Sequence, residues 1–479
     1  MTESSIRETS YDVIVIGSGF GSLFFIEGFL KKRPKARVLV LERGQAHDHA
    51  WQLAQQRNSE LDPHATFRAP PGHKTWNFTI GLGGGANCWF GNTPRMHPSD
   101  FLLRSRYGVG EDWPLDYEEL ERYYVAAEQR MSVAGGNEIA AVLPRSGPFP
   151  LPAHRITSVD RAIQRAQPMF HFPLPSARAS TVTAGRGKCC ASARCNLCPV
   201  DAKFTFWNGF AHLRANEAIE FRVESEVTRL DVANGIVRGA AYRRGEREHF
   251  VHGDLVVLGA NAIHSPAILL RSGLDHPPTG VGINEQVAYN AEALIRGIDN
   301  FDGGTITTCV NYSLYDGEFR KNHAAAIVLF DNRFPLGLRL EYGRWRQVVP
   351  LMVNVEDLPQ ASNRVVLDSD GFPRVLHADV SDYAKRGVER SFAALERVFA
   401  PLDIERIVFR GMRGTESHIQ GTLRMGHDRS TSVVDAGQVH HDARNLVVVG
   451  SAVFPTCPPA PPTLTVAALS LRSAELLAA

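Results

Sequence analysis

Long apolar stretches without polar alternation mark this chain from its first strand. Residues Tyr11-Asp12-Val13-Ile14-Val15-Ile16 are dominated by β-branched side chains and read as a strand buried on both faces. It leads into Gly17-Ser18-Gly19-Phe20-Gly21-Ser22, and residues 23–31 then predict an amphipathic helix. Residues 37–41 predict a second buried strand, which ends in Glu42, and residues 221–230 read as strand-like. Residues 254–262 and 265–273 predict a strand, a turn and a helix. Residues 324–330, 338–342 and 348–355 predict strands of a second sheet. Residues 381–400 predict a helix whose stripe of Tyr383, Val388, Phe392, Leu395, Val398 and Phe399 is a core face. Towards the end, residues 445–451 read as a buried strand that breaks at Phe454-Pro455. A Pro-rich loop follows, and an apolar helix starts near Thr463.

The first strand, turn and helix carry chemistry as well as fold. Glycines at 17 and 19 permit a tight turn and let a pyrophosphate approach the helix N-terminus. The third fingerprint position is Ser22 rather than Gly, with Gly21 beside it. Glu42, twenty positions after Ser22, stands where a carboxylate accepts hydrogen bonds from an adenosine ribose, and it argues against a 2′-phosphate. The run Gly81-Leu82-Gly83-Gly84-Gly85-Ala86-Asn87-Cys88-Trp89-Phe90-Gly91 is too glycine-rich for a regular element. It suits a loop that offers backbone N–H groups to a phosphate or a flavin ring. Flanking Trp76 and Phe78 argue that it is packed.

Composition narrows the class. The 479 residues suffice for two or three domain-sized units, and 52 Lys plus Arg against 51 Asp plus Glu leave a net charge of +1. No basic stripe or charged tail favours nucleic acid or an anionic membrane. Residues 1–10 are polar, so no signal peptide is expected, and no apolar run is long enough to span a membrane. The expected location is cytoplasmic. Four of the seven cysteines crowd into Cys189-Cys190-Ala191-Ser192-Ala193-Arg194-Cys195-Asn196-Leu197-Cys198-Pro199. Disulfides are not expected in that compartment, and Cys-x-x-Cys-Pro thiolates suit either an iron–sulfur cluster or zinc. The adjacent pair Cys189-Cys190 disfavours zinc, because neighbouring side chains diverge.

The most specific block is Ser417-His418-Ile419-Gln420-Gly421-Thr422-Leu423-Arg424-Met425-Gly426, followed by Gly450-Ser451, Phe454-Pro455-Thr456 and Pro462-Thr463-Leu464-Thr465. It resembles the C-terminal signature of the glucose–methanol–choline (GMC) family of flavin oxidoreductases. The glycine-rich loop resembles that family's second motif, and residues 254–273 resemble its third. The resemblance implies an α/β fold. A discontinuous Rossmann-like FAD-binding domain (1–100, 180–290 and 415–479) is expected beside an α+β substrate domain (101–179 and 291–414) built on an antiparallel sheet. It implies FAD contacts from Gly17, Gly19, Phe20, Gly21, Ser22, Glu42, Gly83, Gly84, Asn87, Cys88, Val227, Ala260, Gly450, Ser451, Pro462 and Thr463, with Asn87 near the isoalloxazine and Val227 beside the adenine.

In the same family a His three residues before the Gly of Gly-Thr is the catalytic base, which corresponds to His418. His427, His440 and His441 lie outside the motif. The base takes a hydroxyl proton while the adjacent C–H leaves as hydride. The cysteine loop resembles that of the iron–sulfur-containing bacterial glucose and fructose dehydrogenases. That likeness implies a three-iron, four-sulfur (3Fe-4S) cluster on Cys189, Cys195 and Cys198, with Cys190 the odd one out, although the last spacer is one residue shorter. It further implies a small-molecule alcohol substrate, on a sugar, polyol or sugar-containing metabolite, and a non-oxygen electron acceptor or carrier protein. One departure stands out. The family's Asn or His before Pro-Thr-Leu-Thr is Pro461, which has no side-chain donor or N–H. Thr456, Cys457 or the substrate domain must then supply the second hydrogen bond to the substrate, with Cys457 the leading candidate. That departure keeps two alternatives open, a flavin-dependent desaturation or other oxidation of a biosynthetic intermediate, and a non-catalytic flavin electron-transfer protein.

Overall fold

The computed structural model describes residues 10–332 and 339–478. Its larger sheet has eight strands. Ala443–Val448, Arg247–Leu258, Ser10–Ile16, Val38–Leu41 and Ile219–Arg222 lie parallel in that order. The β-branched strands at its centre are buried throughout (Val13, Ile14, Val15, Val38, Leu39 and Val40), as unbroken apolar runs require. Glu226–Ala233 and Ile236–Arg244 form an antiparallel meander with Arg247–Leu258. The single strand expected over 221–230 is thus two, because the chain turns between them with Glu224 in the left-handed region. The first helix, Phe20–Lys32, begins three residues earlier than the pattern suggests, since Gly17 to Gly19 complete the turn. It packs on the last helix, Thr463–Ala478, so closely that a Cβ on Gly28 would lie 2.9 Å from the Ala474 Cβ.

The second sheet has six antiparallel strands in the order Ile404–Met412, Val287–Ile295, Val348–Val355, Ala326–Asp331, Thr307–Asn311 and His171–Pro173. Alternation decides its two faces. Val349, Leu351, Val353 and Val355 join Tyr289 and Ala291 in a core closed by Tyr383, Leu395 and Val398 of the helix Asp382–Val398. Each fully buried aliphatic side chain of that layer contributes roughly 1.5–3 kcal/mol. The helix is capped by Ser381, whose side chain accepts from the Ala384 amide. The opposite face, with Asn290, Pro350, Met352 and Asn354, borders the main cavity.

Two expectations need correction. Leu338 lies outside the described residues. Arg339 to Tyr342 form no strand, because Arg339 is drawn onto Glu405 (2.8 Å) while Leu340 and Tyr342 are left in solvent with no sheet to bury them. The boundary expected at 290/291 falls inside Val287–Ile295, so the second sheet begins a few residues earlier.

Candidate active site

A cavity of about 920 Å³ runs between the two sheets. Its floor is the first strand–turn–helix. Gly17 has φ +84°, and a Cβ there would lie 2.6 Å from the Gly259 carbonyl oxygen. Around Gly19 that space is empty, so the N-terminus of Phe20–Lys32 opens onto the cavity. The Ser18 amide and hydroxyl donate to Glu42 Oε2 (3.1 and 2.6 Å), and the Gly44 amide donates to Oε1 (2.9 Å). The Gly83 amide donates to the Ser18 hydroxyl (2.9 Å), tying the glycine-rich loop to the turn. Burial raises the pKa of Glu42, and these donors oppose the rise.

The loop over the cavity contains one helical turn, Gly85–Cys88, which its glycine content did not suggest. The buried ammonium of Lys203 fixes the loop by donating to the carbonyls of Asn87 and Trp89, both at 2.8 Å. Beside it lies the cysteine loop, whose Asn196 also lines the cavity. Cys195 and Cys198 are buried, Cys189 is half-buried near Thr305 (3.5 Å), and Cys190 is exposed. Burial pushes the Cys195 thiol up, while Arg178 and Lys203 favour its thiolate. All seven cysteines are free thiols.

The histidine end of the cavity is built from a loop and a strand start. Glu285, buried just before Val287–Ile295, pairs with Lys74 (2.6 Å). Its other oxygen accepts from the Thr415 hydroxyl (3.2 Å) and from the amides of Glu416 (3.2 Å) and His418 (3.1 Å). His418 faces the cavity and is otherwise enclosed. Its Nδ1 is 3.1 Å from Gln286 Oε1. Desolvation lowers its pKa to about 4, with Arg413 adding to the effect and Glu285 opposing it. The ring is therefore neutral at pH 7. Its Nε2 has no protein partner among the described residues.

Most expected contacts line this cavity: Gly17, Gly19, Phe20, Gly21, Glu42, Gly84, Cys88, Val227, Ala260, Gly450, Ser451, Pro462, Thr463 and His418. Ser22, Gly83, Asn87 and Cys457 do not, for separate reasons. Ser22 packs under the helix against Gly259, and Gly83 against Phe206. Asn87 turns its amide back to the Leu82 carbonyl (2.8 Å). Cys457 is fully buried, its carbonyl accepts from the Asp357 amide (3.2 Å), and burial pushes its thiol far up. The Thr456 hydroxyl is occupied by the Trp113 indole (2.8 Å). Neither of these two loop residues replaces the side chain missing at Pro461, which does line the cavity. His440 is buried outside the cavity and His427 is exposed.

Glu285, Gln286, Asn354 and Lys203 escaped the sequence reading. For Asn354 a signal existed, a lone polar residue between Val353 and Val355. It is fully buried at the cavity wall, and neither amide atom has a partner.

A glycine turn at a helix N-terminus, a ribose-type carboxylate and a neutral histidine under an antiparallel sheet define a dinucleotide-dependent oxidoreductase. FAD fits the open helix N-terminus, the Glu42 carboxylate and the long cavity between the sheets. Residues 359–470 match the family model described as GMC oxidoreductase. The chain is 28% identical to the fructose dehydrogenase large subunit of Gluconobacter japonicus, over 98% of each chain. It is 29% identical to the 6'''-hydroxyparomomycin C oxidase of Streptomyces lividus, over 99% of this chain and 93% of that one. Pyridoxine 4-oxidase from Mesorbium loti shares the fold, with a TM-score of 0.68 at 19% identity, over 97% of this chain and 99% of that one. By its C-terminal match and its whole-length likeness to these enzymes, the chain is an FAD-dependent oxidoreductase similar to the GMC oxidoreductases.

Proposed function

We propose that the protein oxidises a CH–OH group of a sugar, polyol or sugar-containing metabolite to a carbonyl. The reading is carried by His418, a neutral imidazole whose unpartnered nitrogen faces the cavity. Two of the relatives are named for fructose and for an aminoglycoside, both polyhydroxylated compounds. Gly17 to Gly21, Glu42, Gly84, Val227 and Thr463 would hold FAD, which supplies a two-electron hydride acceptor when bound. His418 accepts the hydroxyl proton at Nε2 as the C–H bond breaks and the C=O bond forms. Gln286 accepts from Nδ1–H of the resulting imidazolium, and buried Glu285 offsets its charge. The sheet bearing Asn290, Met352 and Asn354 excludes water from above.

Cys189, Cys195 and Cys198 suit a cluster with three thiolate ligands. Cys195 lies near Arg178 and Lys203 and Cys198 near Lys203, with exposed Cys190 left over. A cluster there would supply single-electron capacity beside the flavin loop, which favours a carrier protein over oxygen as acceptor.

Anaerobic mixing with D-fructose, paromamine and 2-methyl-1,2-propanediol tests the reading. At least one should bleach the flavin, and His418→Ala should slow bleaching at least a thousandfold. Bleaching by none, or unchanged bleaching in His418→Ala, refutes it. Iron and sulfide analysis with EPR should show a cluster that is lost in Cys195→Ser, and iron-free protein with intact FAD rules the cluster out.

A further inference from the structure

We propose that Gln286 is the positioning residue that selects the tautomer of His418, and that it does so through the backbone of the Pro-rich loop. The inference rests on His418 being the base, but its central observation is independent of the substrate. Gln286 is buried and makes three hydrogen bonds. Its Nε2 donates to the carbonyls of Pro458 (2.8 Å) and Ala460 (3.1 Å), and its Oε1 lies 3.1 Å from His418 Nδ1. A carbonyl can only accept, so turning the amide over would set Oε1 against two acceptors. Its orientation is therefore fixed by the loop. With Oε1 an obligatory acceptor, Nδ1 of the neutral imidazole must carry the proton, and the lone pair falls on Nε2, on the side of the cavity.

The loop that lost its side chain at Pro461 keeps a part in the reaction through two carbonyls. Proline suits that part, because Pro458, Pro459, Pro461 and Pro462 stiffen the backbone that presents them. Glu285, whose oxygen takes the His418 amide, holds the ring's backbone from the preceding residue. Charged groups around the ring are Glu285 and Lys74 behind it, and Arg413 and Glu416 on its own loop.

The test uses FAD-loaded protein labelled with 15N at histidine. The His418 signals are assigned by their loss in His418→Ala. Wild type should show a single Nδ1–H tautomer at pH 7. Gln286→Leu should show mixed tautomers, and kcat should fall about a hundredfold with little change in KM. Gln286→Glu keeps an acceptor. It should hold the Nδ1–H tautomer, with its second oxygen protonated towards the Pro458 and Ala460 carbonyls, and restore kcat to within tenfold of wild type, a rescue a merely structural residue would not give. An Nε2–H tautomer in wild type overturns the proposal. So do mixed tautomers in Gln286→Glu, which also decide the matter if Gln286→Leu fails to fold. If no alcohol bleaches the flavin yet the tautomer follows Gln286, the alcohol-oxidising reading falls and the role of Gln286 stands.

Discussion

Replacing Asn354 by Leu should stabilise the protein. The side chain is fully buried in the strand Val348–Val355, opposite Ala288 and Ile327, and both of its amide atoms lack partners. A buried unpaired polar group costs about 1–3 kcal/mol, and Leu removes two such atoms while adding apolar contact in nearly the same branched shape. Some of that gain is lost to imperfect fit, typically 1–3 kcal/mol. The expected net is about 1–2 kcal/mol. For 479 residues at about 2.1 cal/mol/K each, the unfolding entropy is on the order of 1 kcal/mol/K, so Tm should rise by roughly 1–2 °C. Differential scanning fluorimetry at fixed FAD concentration reads the shift, and the ratio of flavin to protein absorbance checks that loading is equal. A fall of 2 °C or more at equal loading refutes the reasoning, because it means the amide is already satisfied in the folded protein.

Three further outcomes follow from the same contacts. Gly17→Ala should abolish FAD retention through a Cβ placed 2.6 Å from the Gly259 oxygen, so flavin absorbance should be lost on desalting, and full retention would contradict the close approach. Glu285→Ala should cost about 3 kcal/mol by leaving Lys74 with the Gly414 carbonyl alone and orphaning the amides of Glu416 and His418, seen as a lower urea midpoint. Buried His154, His377 and His440 each have a folded pKa lowered to about 4 by burial. The unfolded chain binds these protons first, so this stability is complete above about pH 6.5 and drains away as pH falls towards 4, on the order of 1–2 kcal/mol per ring by pH 5. A Tm that is flat from pH 7 to 5 would contradict it.

The strand–turn–helix at residues 11–31 and the His418 block were legible because each is a short local pattern whose backbone geometry fixes its chemistry. Side-chain direction was not legible. Asn87 has a motif position yet closes its own turn, and Cys457 has a reactive group yet is fully buried near Asp357, away from the cavity. Gln286 was invisible for a different reason, since the partner it holds lies 132 residues along the chain. Asn354 could have been found from alternation alone, because a polar residue in phase with Pro350 and Met352 cannot belong to the face that carries Val353 and Val355. The expected strand at 338–342 failed because apolar content without a neighbouring sheet edge makes no strand.

The cofactor cavity joins Gly17, near the start of the chain, to Thr463, far along it, and the strand Ala443–Val448 completes the sheet that begins with Ser10–Ile16. During synthesis the first segment therefore waits through more than four hundred residues, with the apolar face of Phe20–Lys32 uncovered until Thr463–Ala478 arrives. Flavin loading is consequently a late event, because the cavity is not complete until Thr463 has been made. Cells short of FAD should accumulate a chain whose cavity is lined but empty, open to proteases at the two segments that meet there.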